Sequence, residues 1–299
     1  MPEEGSESVA GWYPPAEKRV YIPCDGKAGH IKSKRLLRKR KPFSYVEGIT
    51  GKGDLHMSEK WQARQALLLG EEKMELLAEK CIAVIGLGGV GGACAEGLCR
   101  AGIGKLILMD HDDVDETNIN RQMIATRDTI GMPKTDACAQ RMLSINPQVQ
   151  IIRLRAFYGA ETAPELFEHH PDYIVDCIDT VTAKLDLAAR CQQMGIPLLM
   201  SLGTGNRLDP TAFKIGKIEE TASCGAGDGL ARVMRRETRK RGLTAFDVLY
   251  STEPPAKAVV AGDGRYAPGS IAFCPPVAGL IEAGFVIRKL AGLDGKRKG

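Results

Sequence analysis

Residues Cys81–Gly91 read CIAVIGLGGVG, and the rest of the chain is organised around them. CIAVI is a short run without a polar residue, the pattern of a strand buried on both faces of a parallel sheet. Gly86, Gly88 and Gly91 follow in G-x-G-x-x-G spacing with Gly89 among them, and a helix is expected from about Val90 through ACAEGLCRA. In such a joint one glycine makes the tight turn, one lets backbone approach a phosphate, and one lets the helix pack close to the strand. Free N–H groups at the helix start and the helix dipole then favour an anion. The next apolar run, KLILMD, ends in Asp110. That is roughly 20 residues beyond the fingerprint, where a carboxylate usually takes ribose hydroxyls. A glycine turn alone would serve steric needs; with strand, helix and Asp110 in place the expectation is nucleotide binding.

The chain has 299 residues, 43% hydrophobic and 26% charged, ordinary for a soluble globular protein. Its length suits one large α/β domain or two small ones. No apolar run approaches the ~18 residues that span a membrane. The start, MPEEGSES, lacks the apolar core of a secretory signal, so a cytoplasmic protein without membrane contact is expected. Nine cysteines, an odd number, fall mostly in apolar surroundings (Cys81, Cys94, Cys99, Cys177), as reduced thiols do. No CxxC pair occurs, which argues against structural zinc. A net charge of +4 does not by itself identify a nucleic-acid partner.

Residues 1–57 sustain no helical or strand period and are broken repeatedly by proline and glycine. They read as a basic, flexible extension. Its KSKRLLRKRK, Lys32–Lys41, suits a solvated tail, an RNA-contacting arm or a targeting sequence. From Ser58, a candidate cap, the pattern becomes helical, with Leu67, Leu68, Met74, Leu76 and Leu77 expected toward the core. Strands and helices then alternate: PKTDACAQRMLSIN, QVQIIRL, TAPELFEHH, DYIVDCID, TVTAKLDLAARCQQM stopped by Gly195, and PLLMSL. This spacing implies a Rossmann-like, doubly wound and mostly parallel α/β sheet. Ligands in such sheets lie beyond the carboxyl ends of the strands, where Asp110, Asp179 and Ser201–Asn206 fall. Past Leu208 a mixed α/β part continues the same domain. It holds a strand in TAFKIGKI, a very basic helix in GLARVMRRETRKRG expected away from the strand-end pocket, a strand in FDVLYST, and a closing helix Val277–Leu290 broken at Gly279 and Gly284. The main domain is placed at residues 58–292, with a basic tail at 293–299.

The polar stretch after Asp110 carries the chemistry. It supplies Asp112, Asn118, Asn120, Arg121 and Gln122, and Lys134 follows at the next helix start. Cations and amides around a bound nucleotide suit a triphosphate with charge developing at phosphorus. Asp176 and Asp179, at a strand exit, suit Mg²⁺.

Together these residues resemble a family. GLGGVG, then D-x-D-x-V-x-x-x-N-x-N-R-Q, G-x-P-K and D-C-x-D are similar to the ThiF/MoeB/HesA branch of the ubiquitin-activating-enzyme superfamily, over Ser58 to about Leu293. The resemblance implies adenylation of a carboxylate with ATP and Mg²⁺. Carried over by motif, Asp110 takes the ribose, Asn118 and Arg121 face the phosphates, Lys134 stabilises the α-phosphate during attack, and Asp179 supports magnesium. Arg64 matches an arginine donated across a homodimer, although Trp61-Gln62 stand where an aromatic and a further arginine are usual. The resemblance also allows a monovalent cation and a sulfur-transfer or cysteine-desulfurase-type protein partner.

Two zinc-binding CxxC pairs are missing, and SLGTGNRLDPT, the basic helix and VLYSTEPP resemble the family of tRNA threonylcarbamoyladenosine dehydratases. That implies a tRNA substrate whose threonyl carboxylate is adenylated and then cyclised with loss of water. Arg232, Arg235, Arg236, Arg239, Lys240 and Arg241 are the candidate tRNA contacts. Within the superfamily the alternative is an adenylating enzyme for a ubiquitin-like sulfur-carrier protein. Covalent catalysis would need a cysteine near the anhydride, and Cys224 and Cys274 are the candidates.

Overall fold

The computed structural model describes residues 60–222, 228–257 and 268–293. The extension 1–57, Ser58, Cys224 and the tail beyond Leu293 lie outside the described residues. CIAVI forms β1 (Cys81–Ile85), buried at every position. It pairs in parallel with β2 (Lys105–Met109) on one side and β4 (Tyr173–Asp176) on the other. β3 (Gln150–Leu154) lies beyond β2, and β5 (Leu198–Ser201) beyond β4, both parallel. β7 (Asp247–Ser251) joins β5 in parallel, and β6 (Phe213–Gly216) closes the edge as the one antiparallel strand of this sheet. The order is β3-β2-β1-β4-β5-β7-β6. The expected doubly wound sheet is therefore present, and the C-terminal part extends it as a mixed edge. Because neighbours to β1 lie on opposite sides in sequence order, the sheet has its switch point at the carboxyl ends of β1 and β4, where ligands bind.

Alternation along β1 divides the core between two faces. Ile82 and Val84 pack with Leu98, Met142 and Val286, from α3 (Gly89–Arg100), α4 (Lys134–Ile145) and α8 (Cys274–Leu290). Ala83 and Ile85 pack on the other face with Leu166, Leu187 and Met234, from α5 (Ala163–Phe167), α6 (Val181–Met194) and α7 (Gly229–Arg241). Gly195 ends α6 in the left-handed conformation that favours glycine, φ 69°.

Two expectations need correction. In the first helix pair, α1 (Ala63–Leu69) and α2 (Glu71–Ala78), Met74 and Leu77 are buried as expected. Leu67 and Leu68 are 90% and 82% exposed. The reason is the docking of α1, whose Gln65 donates to the Ala101 carbonyl at 2.7 Å and turns Leu67 and Leu68 away. The closing helix is also not broken. α8 runs from Cys274 to Leu290 with prolines in its first turn, where a missing N–H costs nothing. Gly279 serves close packing, since a Cβ there would lie 2.1 Å from the Val90 carbonyl oxygen of α3.

At the carboxyl end of β4 lies a fully buried ion pair. Lys184 Nζ of α6 meets Asp176 Oδ1 at 3.1 Å and the Ser201 carbonyl at 2.7 Å, with both side chains 0% exposed. It links β4, α6 and β5 beneath the switch point. Lys184→Met leaves the Asp176 charge uncompensated and is expected to lower stability by about 3–5 kcal/mol in denaturant unfolding. An unchanged unfolding midpoint would contradict this role.

Candidate active site

Gly86, directly after β1, has φ 85°. A Cβ there would lie 2.8 Å from the Cys177 carbonyl oxygen, and one on Gly91 would lie 1.8 Å from the Gly86 oxygen. These two glycines make the turn and the helix–strand contact that the fingerprint requires. Gly88 stands in open space, with Gln122 Nε2 3.9 Å from its notional Cβ. Gly88 and Gly89 line a cavity of about 510 Å³ at the strand ends. α3 starts there without a side-chain cap, so its first N–H groups are available to an anion.

The loop after β2 is tied to this turn. Asp110 accepts from the Leu87 N–H at 2.6 Å and from the Asp112 N–H at 2.9 Å. Lys134 Nζ reaches Asp112 Oδ2 at 2.6 Å. A bonded chain therefore runs from the start of α4 through Asp112 and Asp110 to the glycine turn. Burial works against the ionised Asp112, but Lys134, with His111 nearby, outweighs it and holds the carboxyl below the usual range. Asn118 is spent locally, accepting from the Asp115 N–H at 3.1 Å. Arg121 lines the cavity and donates from Nη1 to the Thr117 carbonyl and to Asn120 Oδ1, both at 2.9 Å. Among the described residues, the buried Gln122 Oε1 has no hydrogen-bond partner. The bare glycine cradle and that orphaned acceptor beside it fit a nucleotide.

Thus Gly88, Gly89, Arg121 and Asp179 share the cavity wall. Asp110, Asp112 and Lys134 form the hydrogen-bonded support behind the turn, while Asn118 bonds to Asp115 and Gln122 lies near Gly88. Asp176 is fully buried against Lys184 and is not on the cavity wall, so the expected pair of carboxylates is not presented together; of the two, Asp179 lines the cavity. One carboxylate with phosphate oxygens and water is a donor set that magnesium accepts. Among the described residues, the group of acids and histidine close enough to share an ion is Asp110, His111 and Asp112, where Lys134 already takes Asp112.

The described candidate thiol, Cys274, is not poised to attack, and neither is Cys177 on the cavity wall. Cys274 is buried, and burial, with Glu253 and Asp209, pushes its thiol up. Cys177 lines the cavity, yet burial and Glu282 hold its thiol well above the usual range. A reactive cysteine needs the opposite environment.

Two outlying features fall differently. Arg64 is exposed on α1 and is not on the cavity wall; Leu67 and Leu68 follow it at helical spacing i+3 and i+4, on the same face. The basic helix α7, expected away from the pocket, begins on it: Asp228, Gly229 and Leu230 line the cavity. Along α7, Arg232, Arg236, Arg239, Lys240 and Arg241 are exposed. Arg235 is half-buried and donates to Thr221 Oγ1 at 2.5 Å, while Glu237 pairs with both Arg236 and Arg241. Arg207 and Asp228, which the sequence did not single out, also line the cavity. For Arg207 the only signal was a charge within the glycine-rich exit of a buried strand, and for Asp228 its place as the cap before the basic helix.

The family model described as ThiF family matches residues 62–298. A tRNA threonylcarbamoyladenosine dehydratase of Bacillus subtilis (strain 168) is 39% identical over 241 residues, 76% of this chain and 93% of that protein. Its namesake in Escherichia coli (strain K12) is 34% identical over 208 residues, 66% of this chain and 76% of that one. The crystal structure of the E. coli tRNA N6-threonylcarbamoyladenosine dehydratase, TcdA, in complex with ATP superposes with a TM-score of 0.70 at 30% identity, covering 81% of this chain and 99% of that one.

Below the cavity floor, Glu282 of α8 is fully buried, bonded by Ser201 Oγ and, at 3.5 Å, by Cys177 Sγ. Burial pushes its carboxyl up to about 8, against the opposing bonds from Ser201 and Cys177 and the Lys184 charge. An acid whose folded pKa is raised stabilises the fold below its unfolded value and loses that contribution as pH rises to the folded one. Wild-type stability should therefore fall between about pH 4.5 and about pH 8. In Glu282→Gln that fall should be largely absent when unfolding is followed across the same range; parallel curves for the two proteins would refute the assignment.

Proposed function

The chain belongs to the ThiF family, and from that premise we propose that it is an ATP-dependent tRNA threonylcarbamoyladenosine dehydratase. One observation carries the reading. A single cavity is walled by the anion-receptive start of α3, by Arg121 and Asp179, and by the exit of β5 with the start of α7. A nucleotide and a second, carboxylate-bearing substrate thus have adjoining walls. The high coverage of the B. subtilis and E. coli dehydratases supports this choice within the family.

A carboxylate is a poor electrophile, so the chemistry begins by activating it. A threonyl carboxylate oxygen bonds to the α-phosphorus of ATP as the bond to the β-phosphate bridging oxygen breaks and pyrophosphate leaves. Arg121 and the α3 N–H groups stabilise the charge that develops at phosphorus. Lys134 adds to this once a phosphate competes with Asp112 for its ammonium. Asp179 with phosphate oxygens and water would hold magnesium, which shields phosphate charge when bound. The neighbouring ureido group then attacks the acyl carbon, AMP departs with the former carboxylate oxygen, and a proton is lost; the sum is removal of one water. Ring closure is intramolecular, so proximity makes it fast without an enzyme thiol. Exposed cations of α7 extend from the cavity along about 20 Å of helix, which supports their reading as contacts to tRNA phosphates. A tRNA substrate accords with a cytoplasmic enzyme, and no described helix is long and apolar enough to cross a membrane.

Arg64 lies off the cavity wall on the face that exposes Leu67 and Leu68. This supports a two-fold homodimer in which that apolar face is covered and Arg64 serves the neighbouring site. Arg64→Ala and Lys134→Ala should each lower turnover by about 10²–10³, the range for loss of one transition-state donor. Mixed and allowed to exchange subunits, the two inactive proteins should recover part of the activity. No recovery after verified exchange would remove Arg64 from a partner's site. The activity itself is tested by mass spectrometry of nucleosides from tRNA incubated with enzyme and ATP. Loss of one water from threonylcarbamoyladenosine is expected; an unchanged nucleoside, with pyrophosphate release only on adding a small carrier protein, would refute the reading.

A further inference from the structure

Arg207 lines the cavity yet is only 3% exposed. Among the described residues, its Nε and Nη1 have no hydrogen-bond partner. The acid beside it, Asp228, stands 3.7 Å from Nη2, outside hydrogen-bond range. Asp228 Oδ1 caps α7 by accepting from the Ala231 N–H at 3.0 Å, while Oδ2 is buried and, among the described residues, also without a hydrogen bond. A guanidinium and a carboxylate oxygen thus sit together on the cavity wall, both incompletely bonded. Buried charges are normally completed by hydrogen bonds, and one kept incomplete calls for a ligand.

The backbone around Arg207 is fixed. Asn206 has φ 57°, a conformation rare outside glycine and best tolerated by asparagine or aspartate. It is pinned by bonds from its N–H to the Gly269 carbonyl and from the Ala256 N–H to its own carbonyl, both 2.7 Å, and by the Gly269 N–H on its Oδ1 at 2.6 Å. Sparsely populated backbone held by several bonds is found where a side chain must be aimed. Gly203 lies beside the pair: a Cβ there would make ordinary contact, at 3.5 Å, with both Asp228 carboxylate oxygens.

We propose that Arg207 and Asp228 form the receptor for the acylated amino-acid group of the substrate. The guanidinium binds the carboxylate that is to be adenylated, and Asp228 Oδ2 accepts from an N–H or hydroxyl of the same group. The inference rests on the adenylation reading above and deepens it by naming what holds the second substrate. A planar guanidinium suits a carboxylate because both present paired, in-plane hydrogen-bonding atoms. The same cavity wall carries Gly88, Gly89 and Arg121, so a carboxylate at Arg207 shares its space with the nucleotide phosphates.

The test uses the full chain and an anticodon stem-loop RNA bearing threonylcarbamoyladenosine, alongside the same RNA with the threonyl carboxylate converted to a primary amide. Affinity for both is measured without turnover, in the presence of a non-hydrolysable ATP analogue, and ATP affinity is measured separately. Wild type should prefer the acid about tenfold or more, as loss of a charged hydrogen bond implies. Arg207→Met should bind acid and amide alike with ATP affinity unchanged. Asp228→Asn, which keeps a good helix cap, should weaken both RNAs by a similar factor. A surviving acid preference in Arg207→Met overturns the proposal; so does loss of ATP affinity, which would make Arg207 a phosphate contact. Should Arg207→Met fail to fold, Arg207→Lys decides, because it keeps the charge without the planar fork, and an unchanged preference there is equally fatal. If wild type instead shows the preference but never dehydrates the RNA, the adenylation reading fails while the receptor stands.

Discussion

The absence of a side chain at Gly91 is the constraint on which the rest depends. Any Cβ there would fall 1.8 Å from the Gly86 carbonyl oxygen, so α3 can start directly on the turn leaving β1 only because both positions are glycine. That contact sets the first N–H groups of α3 at the switch point of the sheet. It also places α3 where α8 packs on it, with Gly97 and Gly279 admitting close approach, since a Cβ on Gly97 would lie 2.7 Å from that of Ala283. α8 in turn carries Pro275 to the cavity wall and Glu282 beneath its floor, against Ser201. Nucleotide cradle, cavity and buried acid thus all follow from one steric requirement.

The support behind the cradle is electrostatic. Asp110 holds Leu87, Asp112 holds Lys134, and Lys184 holds Asp176. The first ties the end of β2 to the turn after β1, the second ties the loop after β2 to α4, and the third ties β4 to α6. The resulting site has its cations restrained before any phosphate arrives, which lowers the reorganisation needed as charge develops. Arg207 differs from these in lacking a completed partner, and its place beside Asp228 divides the cavity between a phosphate end and a carboxylate end.

Much of this is legible in the sequence because the signals are local. CIAVI is too short and too apolar for anything but a buried strand, and the spacing of Gly86, Gly88 and Gly91 states the turn. Asp110 lies one strand later. The element order followed from alternation alone. What escaped depends on contacts between distant segments. Leu67 and Leu68 look like core residues until the docking of α1 through Gln65 to Ala101 is known. Gly279 looks like a helix breaker until Val90 is seen against it. Asp176 and Asp179 look alike three residues apart, yet α6 encloses one and leaves the other exposed. Arg207 carries no periodic or motif signal, and Asp228, distant in sequence, comes beside it only in the fold.

The central claim is that this cavity joins a substrate carboxylate to the α-phosphate of ATP. The most direct measurement is the fate of oxygen-18 placed in the threonyl carboxylate of threonylcarbamoyladenosine-containing tRNA during a single turnover. The account predicts one labelled oxygen in the AMP released and none in pyrophosphate. Label appearing in pyrophosphate or inorganic phosphate, or AMP released without label while the nucleoside loses its water, would contradict it.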